Sequence, residues 1–227
     1  MLMNDVIIRD KRCEKTNLRG GQIINCELID TDFINANLNS VRIIDSSLNN
    51  VTFTSDVVMN SLHLNNVVLN NVTLDQVDLS GIVSQSVTLT GTTTLPDSYK
   101  LIDTMIFGPY VNLSNKSLSG LDLTGLNLTG ANLLGVDLTN TKTYGFVGNN
   151  IRLSDNYKLR SGYILGQGVD LTGVDLTGVD LTGVDLRGAN LTNVKFSNVS
   201  DTLLLDEQYK LINGIVFGPN LNLSETD

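Results

Sequence analysis

The chain has 227 residues, 41% apolar and 17% charged, enough for one or two ordinary domains. Aromatic residues make up only 5% and Trp is absent, which argues against a globular core filled by large rings. A net charge of −9 excludes a basic nucleic-acid footprint, and the acidity is dispersed: residues 1–94 carry 6 basic and 10 acidic side chains, residues 95–227 carry 9 and 14.

The first segment, MLMNDVIIRDKRC, is broken by charges and has no apolar run of the signal-peptide kind. No later stretch is long enough to span a bilayer. A cytoplasmic, reducing setting without membrane contact is the expectation. Two cysteines, Cys13 and Cys26, cannot make a disulfide framework. Lys11 falls on an inward position of the repeat that follows, so residues 1–15 are expected to cap the chain and the regular pattern to begin near Thr16.

From there apolar residues recur every fifth position. Leu18, Ile23, Leu28, Phe33, Leu38, Ile43, Leu48 and Phe53 are the centres of successive steps. Two residues before each centre stands a mostly small or β-branched partner, such as Cys26, Ala36, Val41 and Val51. Phe53 to Met59 is six residues, a single insertion, and the frame resumes at Met59 and runs to Leu89, with Ser84 as its one polar centre. The frame returns at Leu113–Leu138. It is clearest in GVDLTGVDLTGVDLTGVDLRGANLTNVKF, with centres Leu171, Leu176, Leu181, Leu186, Leu191 and Phe196.

A period of five fits neither an α-helix nor a simple strand. It fits a chain that turns a corner every five residues. A short extended stretch puts the centre and the residue two before it on the same side, and a tight turn at Gly or Asn then rotates the chain by about a quarter circle. Four steps close a coil, and coils stack at roughly the 4.8 Å strand spacing. Twenty-seven such steps make nearly seven coils, roughly 30 Å of stack. N-x-[ST] sequons, among them Asn50, Asn198 and Asn222, follow from a repeat that keeps writing polar–Leu–Ser/Thr.

Three similar segments interrupt the repeat: LPDSYKLIDTMIFGPYVNL from Leu95, LSDNYKLRSGYILGQGVDL from Leu153 and LDEQYKLINGIVFGPNLNL from Leu205. In the third, Asn213-Gly214 lies between apolar runs, the strongest short hairpin signal. Asp103-Thr104 and Ser161-Gly162 occupy the same place. The organisation expected is one solenoid domain over 1–227: an N-terminal cap at 1–15, coils at 16–90, a hairpin insertion at 95–110, coils at 111–140, a second hairpin at 153–168, coils at 169–198 and a C-terminal hairpin cap at 205–227. The aligned pairs Tyr99-Lys100, Tyr157-Lys158 and Tyr209-Lys210 are the candidate recognition or capping residues, since outward loops on a rigid scaffold often carry binding.

The steps VDLTG and ANLTN closely match the A-[DN]-L-x-x pattern, and on them the chain resembles the pentapeptide-repeat family over about 135 of its 227 residues. The resemblance implies an all-β, right-handed quadrilateral β-helix. It also implies a function without catalysis, as a structural or protein–protein interaction scaffold. Some members of that family resemble B-form DNA and inhibit or protect type II topoisomerases, which is the alternative here. Those members dimerise through a C-terminal module, usually helical, whereas this chain ends in another hairpin. Members also occur in large DNA viruses of amoebae, and the Asn-rich composition makes a virion component the further alternative.

The residues give no sign of an enzyme. The single histidine, His63, lies at an outward position, and no Cys/His cluster has metal spacing. Neither a P-loop nor a GxGxxG before a helix occurs. Asp170, Asp175, Asp180 and Asp185 fall on successive faces of one coil and cannot converge on one ion. No catalytic residue, metal or cofactor is expected. The partner is expected to be an unidentified protein rather than nucleic acid or membrane, and the chain a monomer or an end-to-end homodimer.

Overall fold

The computed structural model describes residues 1–197 and 199–223. Asn198, with its sequon, and positions 224–227 of the expected C-terminal cap lie outside the described residues. Within them the regular structure is entirely strand, bridge and turn, without a helix. The chain is a β-solenoid that divides into two compact units: Met1–Leu113 with Leu128–Ala131, and Ser114–Asn127 with Asn132 to the end.

In the first unit the coils are visible as parallel pairing at offsets of twenty or twenty-one. Leu2 pairs with Gln22, Gln22 with Arg42, Arg42 with His63 and His63 with Val83 on one wall. Ile7, Glu27, Ser47, Val68 and Thr88 form a second wall. Arg12, Asp32, Thr52, Thr73 and Thr94 form a third, and Asn17, Asn37 and Val58 a fourth. The step from Arg42 to His63 is 21 because the extra residue between Phe53 and Met59 is absorbed there.

These pairs correct the expected start. Leu2–Asn4, Ile7–Arg9 and Arg12–Glu14 are already coil walls, so the first coil begins at Leu2 rather than near Thr16, and the chain makes about 8 turns. Lys11 confused the frame because it is exposed while standing at an inward position. The centres of the first coil, Met3, Ile8 and Cys13, are only half-buried, so a long side chain can leave the interior there.

The interior is filled as the period demands. Leu171, Leu176 and Leu181 are 0%, 0% and 3% exposed. Of their smaller partners, Val169 and Val174 are buried beside them and Val179 is half-buried. In the first unit the rings of Phe33 and Phe53 stack in adjacent coils, 5.4 Å apart and 10° from parallel. Burial of this kind stabilises by about 1.5–3 kcal/mol per large side chain before entropy is subtracted.

At most corners a residue in the left-handed region stands two positions after the centre; Ser55 and Gln76 are exceptions. In the second unit that residue is mostly glycine, with Asn115, Asn140 and Asn193 at other corners: Gly173, Gly178 and Gly183 have φ of 72°, 73° and 67°. A β-turn closes there, with the Val174 N–H donating to Leu171 O at 3.0 Å. The residue before each centre fastens the next corner. The Asp175 and Asp180 carboxylates accept from the N–H groups of Thr177 and Thr182 at 2.9 and 3.0 Å. This is why Asp or Asn recurs at that position: its short side chain reaches its own backbone two residues on.

In the first unit the corner is made differently. The strand Arg42–Asn49 bends at Asp45, which has a φ of 49°, without interruption. Asn25, Asp30, Asn50, Asn66 and Asn71 hold the same conformation, which Asn and Asp tolerate better than other side chains.

Candidate functional site: hairpins and corner ladders

Each interruption folds as a two-stranded antiparallel hairpin. Lys100–Ile102 pairs with Met105–Phe107, Tyr157–Arg160 with Tyr163–Gly166, and Lys210–Ile212 with Ile215–Phe217. Both turn residues are left-handed in every copy: Asp103 and Thr104 at 51° and 85°, Ser161 and Gly162 at 48° and 80°, Asn213 and Gly214 at 51° and 80°. Two positive φ values define the tight hairpin turn that matches strand twist.

The return strand of each hairpin enters the coil wall rather than lying outside it. Ile106, Ile164 and Val216 are at most 1% exposed. The turn carbonyls of Thr104, Gly162 and Gly214 accept from the Val87, Phe146 and Val199 N–H groups, each at 2.9 Å. The polar centre Ser84 now has a reason: its Oγ accepts from the Ile106 N–H at 2.7 Å. Thr143 does the corresponding work in the second copy, donating its hydroxyl to Ile164 O at 2.7 Å. A polar residue at an inward position was the sequence signal that a hairpin strand joins the wall there.

The three tyrosines are used internally. A Cβ placed on Gly108 would lie 2.3 Å from the Tyr99 ring, one on Gly166 2.3 Å from Tyr157, and one on Gly218 2.1 Å from Tyr209. The aligned Tyr and Gly therefore form a lock in which only glycine leaves room for the ring. Tyr99 donates to Pro109 O at 2.9 Å, and its phenol is pushed up to about 12, first by burial and then by the Asp78 charge. Tyr157 is buried and accepts from the Leu138 N–H at 3.3 Å. Lys100 and Lys210 are exposed and Lys158 is half-buried. Tyr99 and Lys100 belong to one unit and the other two pairs to the second.

A feature the sequence reading passed over lies on the corners of the first unit. Asn50 Nδ2 donates to Asp30 Oδ1 at 2.8 Å, and Asn71 Nδ2 to Asn50 Oδ1 at 2.9 Å. On the neighbouring corner Asn66 donates to Asp45 at 2.9 Å and Asn25 to Asp5. That second ladder borders an open groove of about 550 Å³, lined also by Glu27, Ser46, Ser47, Ile7 and Val68. Ile7 and Val68, the apolar residues of that lining besides Cys26, are 59% and 39% exposed. The ladders join residues about twenty apart, so no local motif announces them.

His63 is half-buried in the first wall, between Arg42 and Val83. Asp170, Asp175, Asp180 and Asp185 each accept from the N–H two residues on. No group of three or more His, Cys, Asp or Glu that could hold a metal ion occurs among the described residues, and no described helix is long and apolar enough to cross a membrane.

Stacked five-residue steps with glycine or Asn/Asp corners define a β-solenoid scaffold. The chain belongs to the pentapeptide repeat family, whose model matches in 8 copies over residues 16–54, 110–142 and 167–200. Among solved structures it is similar to a trypsin-treated form of QnrB1, a plasmid-mediated fluoroquinolone resistance protein, at 15% identity over 91% of this chain and 92% of that one, with a TM-score of 0.34. HetL, a pentapeptide repeat protein involved in heterocyst differentiation regulation from the cyanobacterium Nostoc sp. strain PCC 7120, is 18% identical over 88% of each chain, with a TM-score of 0.31. Rfr23, from the cyanobacterium Cyanothece 51142, is 16% identical over 67% of this chain and 91% of that one, with a TM-score of 0.23. At these scores none of the three bears on function. No curated protein matches the chain by sequence.

Proposed function

We propose that the protein is a non-catalytic scaffold that binds another protein along the groove of its first unit. One observation carries this reading. Ile7 and Val68 stand exposed at the two ends of the wall row Ile7–Glu27–Ser47–Val68, beside the corner row Asp5, Asn25, Asp45 and Asn66, and exposed apolar side chains interleaved with polar ones on rigid strands suit protein recognition. The ladders hold the corner row in place, so little side-chain freedom is lost on binding. The hairpin lysines Lys100, Lys158 and Lys210 are reserved as secondary contacts.

A photo-crosslinking amino acid at position 68 tests the groove in extract of the source organism. One dominant protein adduct, lost when Ser47→Arg fills the groove, is the expected result. Adducts that Ser47→Arg leaves unchanged, or none at all, overturn the reading. A supercoiling assay with a type II topoisomerase runs beside it: inhibition at micromolar protein would replace the scaffold with the DNA-mimic alternative.

A further inference from the structure

The three hairpin turns share a geometry and differ in one piece of chemistry. Asp103-Thr104, Ser161-Gly162 and Asn213-Gly214 occupy the same place with the same pair of left-handed residues. The third alone puts a carboxamide before glycine, and Asn213 is the chain's single asparagine followed by glycine. It is exposed at the hairpin tip. Gly214 has no Cβ to shield its nitrogen. It also lies outside the pairs Lys210–Phe217, Leu211–Val216 and Ile212–Ile215 that hold the ladder. Other asparagine amides are committed elsewhere: those of Asn25, Asn50, Asn66 and Asn71 each donate to a corner of the coil before.

We propose that Asn213 is a site of spontaneous deamidation, and that its isoaspartate product releases the third hairpin from the coil wall. The Gly214 nitrogen gives up its proton to solvent and attacks Asn213 Cγ. The N–Cγ bond forms as the Cγ–Nδ2 bond breaks, and the leaving nitrogen takes a proton from solvent and departs as ammonia. A five-membered succinimide remains, which water opens. Breaking the N–Cγ bond restores the peptide with aspartate at 213. Breaking the bond from that nitrogen to the α-carbonyl leaves isoaspartate, with the main chain running through Cβ and Cγ. Water is the one co-reactant. Ring closure requires the turn to leave its left-handed geometry, and exposed hairpin tips open locally at small cost.

The two products differ in effect, and the chain itself shows why. Aspartate already stands at this place in the first copy, where Asp103 has a φ of 51°, the value Asn213 has, in an intact hairpin. Isoaspartate instead adds one main-chain atom to a two-residue turn. Loop length selects the turn and fixes the register of the strands, so the Ile212–Ile215 pair and the Gly214 carbonyl cannot both keep their places. That carbonyl accepts from the Val199 N–H at 2.9 Å, and Val216 on the return strand is 1% exposed. Conversion thus loosens the strand that the hairpin contributes to the wall, and it does so as the molecule ages. The site belongs to the second unit and the groove to the first, so this inference and the scaffold reading fail separately.

The test ages the full chain at 37 °C, at pH 7 and pH 9, in water enriched in oxygen-18. Peptide mass spectrometry follows the amide-to-acid change, and an isoaspartyl-specific methyltransferase labels the isoaspartate. Conversion at 213 ahead of every other asparagine, faster at pH 9, with heavy oxygen incorporated and methyl acceptance rising in step, is the expected result. Hydrogen exchange on the aged sample reads the release: Val199 and Val216 are expected to lose protection in the isoaspartate fraction. Asn213→Ser, which copies Ser161-Gly162 of the second hairpin, is expected to age without that loss, and fresh Asn213→Asp to exchange like the unaged chain. Should Asn213→Ser misfold, the converted and unconverted fractions of one aged sample supply the comparison. Conversion at 213 no faster than at other asparagines overturns the site. Unchanged protection in the isoaspartate fraction, or the same loss in a folded, aged Asn213→Ser, overturns the release.

Discussion

The two units solve one geometric problem with different chemistry. Both place a left-handed residue two positions after most centres. The second unit uses Gly173, Gly178 and Gly183, where an added Cβ would meet nothing within 4 Å, and fastens the corner locally through Asp carboxylates. The first uses Asp30, Asn50 and Asn71 and fastens corner to corner, with each side chain bonded to the coil beside it. Glycine makes the conformation easy and leaves the unfolded chain freer. Asn or Asp accepts some backbone strain and recovers it through bonds that exist only when coils are stacked. The Asn/Asp ladders of the first unit thus tie coil to coil, and the Asp corners of the second hold each step.

The largest effect tests what the units share. Leu176→Ala is expected to cost about 2–5 kcal/mol in urea unfolding, as a cavity in a packed channel, and Leu48→Ala a similar amount in the first unit. A cost under 1 kcal/mol at either site would show that the channel can collapse around the loss. Glycine substitutions come next. Gly166→Ala sets a Cβ 2.3 Å from the Tyr157 ring and 2.6 Å from Asn156 O, and overpacking of this kind costs about 1–3 kcal/mol. Gly178→Ala meets no atom and is expected to cost only the left-handed penalty, about 1 kcal/mol. Equal costs would mean that the lock does not hold the ring as described.

The ladder is probed by Asn50→Gly and Asn50→Ala. Both break the bonds to Asp30 and Asn71, each worth about 1 kcal/mol, but glycine also relieves the backbone. Ala is expected to be the worse by roughly 1 kcal/mol; if the two are equal, strain at this corner is negligible. In the opposite direction, Thr104 is a β-branched residue at φ 85°, where the other two copies carry glycine. Thr104→Gly is expected to raise stability by about 1 kcal/mol, read as slower hydrogen exchange in the first hairpin.

Acid gives a distributed effect and separates the units again. Bonding to Thr177, Thr182, Thr124 and Thr139 holds Asp175, Asp180, Asp122 and Asp137 below the usual carboxylate range. The Arg187 side chain holds Asp185 at about 2. A depressed folded value means that the stabilisation is complete above the unfolded carboxylate pKa, about 3.9. It is lost as pH falls through the lower folded values. In the first unit only Asp56 and Asp78 are lowered comparably. Hydrogen exchange between pH 4 and 2 should show the second unit loosening first.

Much of this was legible in the sequence because a five-residue period repeats one physical instruction many times. Leu171, Val174 and Gly173 each say the same thing about inside, partner and corner. The hairpins were legible from Asn213-Gly214 and its two aligned equivalents. The first coil was obscured by one residue, since Lys11 stands where an apolar side chain belongs. The ladders and the Tyr–Gly locks were not legible, because each joins residues that become neighbours only after the chain has turned: Asn50 meets Asp30 across a full coil, and Tyr157 meets Gly166 across a hairpin. Likewise the groove exists only when Asp5, Asn25, Asp45 and Asn66 are stacked.

Lys142 pairs with Asp170 across 28 residues, whereas Asp122 pairs with Lys142 across 20. Eight additional residues leave and rejoin the wall at a single corner without changing the register beyond it. A corner that already tolerates a detour of that length is a natural insertion point for a foreign peptide. An epitope or short binding loop grafted into that detour would be displayed on the wall provided that the Gly162 carbonyl, which accepts from the Phe146 N–H, keeps its place.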